Sequence, residues 1–101
     1  MKNIDSFIDT LGCIIWCAEQ EKGKIFKKEE SLWSYEQIQG VVLPEIKELL
    51  AYANQGKLYF KYGKKQRMLE STYIITDSLK DLANTELGKK IIELQEIYNS
   101  L

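Results

Sequence analysis

Ile4, Phe7, Ile8, Leu11, Ile14, Ile15 and Ala18 recur at three- and four-residue steps through the first part of this chain. That spacing holds one apolar stripe along one side of a helix, whereas a strand would alternate its faces every second residue. It predicts a first helix over 4–21, with Asn3 as N-cap, Asp5 in the first turn and a stop at Gly23. Residues 11–18 are apolar almost all round, because Cys13, Trp16 and Cys17 fall off the main stripe. Such a helix is central in its bundle or covered by a second subunit. Trp16 reads as a core residue or as an anchor at a partner interface, and with a second subunit on this helix Cys13, Trp16 and Cys17 are the expected dimer interface.

The rest of the chain keeps the helical period. Ser34 followed by Gln37 matches a capping box and opens a second helix over 34–55, with Ile38, Val42, Ile46, Leu49 and Ala53 as its stripe. Trp33, just ahead of the cap, is placed to staple against Ile38. Pro44 falls inside this pattern and crowds the carbonyl of Gly40, so a kink near Pro44 is expected before a stop at Gly56. Met68, Thr72, Ile75, Leu79 and Leu82 step by four and three and predict a third helix over 64–83. Thr85 then caps a fourth over 85–100, whose stripe is Leu87, Ile91, Leu94, Tyr98 and Leu101, widened by Ile92 and Ile97. At 101 residues this is one domain, 1–101, and the expected fold is all-α: an antiparallel four-helix bundle. Residues 24–27 weakly echo 57–62, and the two could pair as a short two-stranded ribbon.

Absences narrow the chemistry. The chain has no histidine, so the commonest general base, the Ser-His and Cys-His pairs and the commonest metal ligand are missing. It carries no phosphate loop and no dinucleotide fingerprint. Two cysteines four apart on one helix leave its surface in parallel, a poor geometry for a disulfide, so they are expected as free thiols in a reducing cytoplasm. They offer only half of a structural zinc site, the rest of which would have to come from carboxylates such as Glu21 or from a symmetry mate, and they read more simply as small hydrophobes. Glu45 with Glu48 and Asp77 with Asp81 are carboxylate pairs at helical spacing, expected to face water. The N-terminus lacks a signal-peptide pattern and no apolar run could span a bilayer. No cofactor, metal or membrane is expected, and abundant Lys, Ile, Asn and Tyr suggest a bacterial source.

One stretch breaks with its surroundings. Net charge over the whole chain is −1, yet residues 57–67 hold five basic side chains, three aromatics and no acid. A face of this kind suits an anionic partner, and Lys57, Tyr59, Lys61, Tyr62, Lys64, Lys65 and Arg67 are the expected partner-binding residues. The functional expectation is a non-enzymatic protein–protein interaction or regulatory module. The alternative is a small nucleic-acid-binding protein that stacks bases on the same aromatics, though a single cluster in an otherwise acidic chain makes few phosphate contacts. In size, helix count and cytoplasmic character the chain is similar to small bacterial immunity and antitoxin-type proteins, a likeness that assigns no residue a role.

Overall fold

The computed structural model describes residues 4–56, 68–78 and 80–100. Among these, four helices form a compact all-helical globule and no strand occurs. Helix α1 spans Ile4–Phe26. Helix α2 covers residues 35–54 in three pieces: an α-turn at Tyr35–Gln37, a π-helical turn at Ile38–Val42 and an α-helical run at Leu43–Asn54. Helix α3 is Glu70–Asp77, and α4 is Glu86–Ser100, preceded by a 3-10 turn at Leu82–Asn84.

The first helix is central, packing chiefly on α4 and α2. Phe7, Leu11, Ile14 and Ala18 are buried along it, with Ile8, Ile15 and Ile25 partly buried at the margins. Phe7 stacks on Tyr98 with ring centroids 5.9 Å apart. All five expected stripe residues of α2 are buried. In α4, Leu87, Ile91, Leu94, Ile97 and Tyr98 are buried, whereas Ile92 faces outward.

Several boundaries differ from those read in the sequence. Helix α1 does not stop at Gly23. It continues for another turn, because Ile25 reaches the core and a single exposed-side glycine costs only about 1 kcal/mol within a helix. The stop comes at Lys28, which adopts a left-handed φ of 62°. Lys28 N–H donates to Ile25 O (3.1 Å) and Glu29 N–H to Lys24 O (2.8 Å), the pair of bonds that closes a Schellman motif. Lys24–Phe26 are thus helical, which removes the first half of the expected ribbon; its second half, 57–62, lies outside the described residues.

Around Pro44 the ladder slips rather than stops. Leu43 N–H donates to Ile38 O, the five-residue spacing of a π turn, and Pro44 sits at the start of the α-helical run that follows. The π turn lengthens the ladder just ahead of Pro44, where the proline has no N–H to give and its ring would crowd the carbonyl four residues back. Gly56, with φ 67°, closes α2 as expected.

The third helix is the largest departure. Met68 and Leu69 are not helical, the helix runs from Glu70 to Asp77 and does not reach 83, and residues 64–67 of the expected helix lie outside the described residues. Ser78 is extended, and its hydroxyl accepts from Lys80 N–H at 3.0 Å, a local bond that competes with the helical ladder. Leu82 is nevertheless buried, on the 3-10 turn. Glu45 also departs from expectation: it is buried, whereas Glu48, Asp77 and Asp81 are exposed.

Candidate functional site

A groove of about 950 Å³ is built by three segments: the second half of α1, residues 29–32 and the start of α4. Residues 16, 20 and 24 share one face of α1 at four-residue steps, with 17 and 21 beside them, so Trp16, Gln20 and Lys24 form one wall above Cys17 and Glu21.

The opposing wall is fixed by the Schellman stop, which turns the chain at Lys28. Glu21 then holds it. Its carboxylate is largely buried, pairs with Lys24 Nζ at 3.2 Å and accepts from Ser31 Oγ at 3.3 Å. Ser31 Oγ in turn accepts from Trp33 N–H at 3.2 Å. Glu29, Glu30 and Leu32 are exposed along this wall.

The floor is set by Thr85. Its hydroxyl donates to Leu82 O (2.6 Å), and accepts from Gly88 N–H (2.9 Å), which caps α4, and from the indole Nε1 of Trp33 (3.0 Å). Trp33 is only 2% exposed, so it is a core residue with its polar edge satisfied. This tie places Glu86 and Leu87 at the groove beside the 29–32 wall.

Trp16 is the opposite case, 65% exposed, and makes no ring contact among the described residues. A large indole in water beside a groove is a recurrent sign of a contact site. Phe26 is as exposed, but its ring rests on Tyr35 with centroids 5.5 Å apart, and neither lines the groove.

The groove is acidic. Its ionisable lining is Glu21, Glu29, Glu30 and Glu86 against Lys24, a net charge of −3 from four acids and one base. Among the described residues Glu29, Glu30 and Glu86 enter no ion pair. The same field acts on Cys17: burial pushes its thiol upward, and Cys13, Glu86 and Glu21 add to the shift while Lys90 opposes it. A thiol so held is protonated at neutral pH and a poor nucleophile. Cys13 is exposed on the same side of α1. No group of three or more histidine, cysteine, aspartate or glutamate side chains among the described residues is arranged to hold a metal ion, and no described helix is long and apolar enough to cross a membrane.

Of the residues singled out in the sequence, Trp16 and Cys17 line this groove and Cys13 is exposed close by on the helix. Lys57, Tyr59, Lys61, Tyr62, Lys64, Lys65 and Arg67 lie outside the described residues. Sequence reasoning missed Glu29, Glu30 and Glu86, which look like ordinary surface charge until the turn at Lys28 and the Thr85 cap bring them together. The legible signal was the i, i+4 series Trp16, Gln20, Lys24 beside Cys17 and Glu21.

Compared with known protein families, with curated proteins and with solved structures, the chain matches none.

Proposed function

We propose that this chain is a non-enzymatic protein–protein interaction module and that the Trp16 groove is its principal contact surface. The observation that carries this reading is the 65% exposure of Trp16 on the wall of a groove of about 950 Å³. A solvated indole is costly to leave uncovered: an aromatic side chain gains about 1.5–3 kcal/mol on full burial, and partner surfaces are where such gains are realised. Support for a non-catalytic role comes from the lack of any histidine and from the protonated state of Cys17. A reducing, cytoplasmic setting suits two cysteines kept as thiols. The basic–aromatic residues 57–67 offer a second contact surface on the strength of their sequence.

The test compares wild-type and Trp16→Ala proteins as affinity baits at moderate salt, with nuclease in half the samples. Matched far-UV circular dichroism establishes that both are folded. A protein held by the wild type after nuclease and lost by Trp16→Ala supports the reading. Identical capture by both baits overturns the assignment of the groove. Capture that disappears with nuclease instead favours nucleic-acid binding through residues 57–67.

A further inference from the structure

Resting on that reading, we propose that the Trp16 groove takes an arginine-bearing segment of its partner protein. Two independent features of the groove specify a cation of this shape. The first is charge: Glu29, Glu30 and Glu86 line the groove and enter no ion pair among the described residues, while the one lining lysine is already engaged by Glu21. A nucleic-acid backbone or an anionic lipid surface would be repelled here. The second is the exposed indole, whose electron-rich face attracts a guanidinium more strongly than any other aromatic does. Arginine meets both demands at once. Its planar group stacks on an aromatic face and presents forked donors to a carboxylate, whereas lysine offers a compact, strongly hydrated point charge. Leu32, exposed on the wall, supplies apolar ground for the partner's remaining side chains.

The experiment is fluorescence anisotropy with three fluorescein-labelled nine-residue peptides that alternate leucine with arginine, with lysine or with glutamate, titrated with wild-type protein, Trp16→Ala and Glu29→Lys/Glu30→Lys. The two glutamates are exposed and outside any helix, so their reversal leaves the fold intact, which thermal melting checks. Expected is binding of the arginine peptide, about threefold or more weaker binding of the lysine peptide, none of the glutamate peptide, and a loss of about tenfold or more in each variant. Equal binding of the arginine and glutamate peptides overturns the proposal. So does an arginine-peptide affinity that survives the double reversal but not Trp16→Ala; the groove would then still be a docking site, for a partner of other chemistry. No binding of any peptide at millimolar protein also overturns it, and the Trp16→Ala bait comparison then decides separately whether the groove is a contact site. Sedimentation of the wild type alone as a dimer that Trp16→Ala dissociates would make the occupant a second copy of this chain and overturn the assignment to a separate partner.

Discussion

The Glu45 carboxylate of α2 accepts both the backbone N–H (2.8 Å) and the hydroxyl (2.7 Å) of Ser71, twenty-six positions away. Its second oxygen accepts from Glu70 N–H at 2.8 Å. Glu45 thereby does from another helix what an N-cap residue does locally. Leu69, at the N-cap position of α3, has no side-chain acceptor to offer, so the first amides of that helix would otherwise lack a side-chain cap. A negative charge at a helix N-terminus also complements its dipole. Gln95 of α4 completes the arrangement, with Oε1 accepting from Leu69 N–H at 2.8 Å and from Thr72 Oγ1 at 3.0 Å.

Glu45→Ala is expected to lower stability by about 2–4 kcal/mol, because it strands three donors at once, two of them buried. Glu45→Gln keeps the shape but loses the charge and should cost less. Ser71→Ala removes one of the three donors. Urea unfolding of the wild type, Glu45→Ala, Ser71→Ala and their double variant gives the coupling directly, and a coupling near zero would show that Glu45 and Ser71 act independently.

That Glu45 reads as a surface acid in the sequence shows where legibility ends. The stripes of α1, α2 and α4 are periodic, and burial follows that period closely: Ile38, Val42, Ile46, Leu49 and Ala53 are all inside. The capping box at Ser34 is equally local and forms as its pattern predicts, with Gln37 N–H to Ser34 Oγ at 3.1 Å and Ser34 N–H to Gln37 Oε1 at 2.9 Å. Helix α3 is different, since its start is written in Glu45 and Gln95, far away in sequence. No periodicity in residues 64–83 carries that information. The groove is of the same kind: Trp16 stands out alone, but its acidic surroundings exist only once Lys28 turns the chain and Thr85 caps α4.

Gly88 marks a close approach that no motif announces. A Cβ built there would lie 1.9 Å from Leu82 O and 3.0 Å from Thr85 Oγ1, so the 3-10 turn would have to move off the helix. Thr85 would then lose its bonds to Gly88 and Trp33, and α4 its cap. Gly88→Ala is therefore expected to destabilise by about 2 kcal/mol or more, although alanine is ordinarily the better helix former by about 1 kcal/mol. The check is a thermal melt with Trp33 emission as the probe in a Trp16→Phe background. Unchanged stability would mean that the turn and the helix are not in contact in solution.

Cys17 makes stability depend on pH in the alkaline range. Burial raises its thiol above the ordinary range, with Cys13, Glu86 and Glu21 adding to it. The folded chain therefore holds this proton to higher pH than the unfolded chain does. Its contribution is fully present below the unfolded thiol value and is lost as pH rises from there through the folded value. Other groups titrate in the same range, so the measurement is a difference: urea midpoints of wild type and Cys17→Ala between pH 7 and 10. The wild type should lose ground to the variant as pH rises, and a constant offset would refute the assignment. Iodoacetamide at pH 8 should alkylate exposed Cys13 before Cys17.

Helix α1 runs through a glycine and stops on a lysine, the reverse of what each residue prefers. Gly23 is helical with nothing within 4 Å of where a Cβ would stand, so alanine fits without adjustment and restrains the unfolded chain. Lys28 sits at φ 62°, where an L-residue with a Cβ is strained by about 1–2 kcal/mol and glycine is not. Gly23→Ala and Lys28→Gly are each expected to raise stability, by about 1 kcal/mol and about 0.5–1 kcal/mol respectively. Because the two positions act on the helix interior and on its stop, the gains should add in the double variant. The opposite substitution, Lys28→Val, places a β-branched residue in the same conformation and should destabilise. Chemical denaturation of the four proteins checks the set. If Lys28→Gly weakened the fold and Lys28→Val did not, the left-handed turn that swings Glu29 and Glu30 towards the Trp16 groove would not be the conformation in solution.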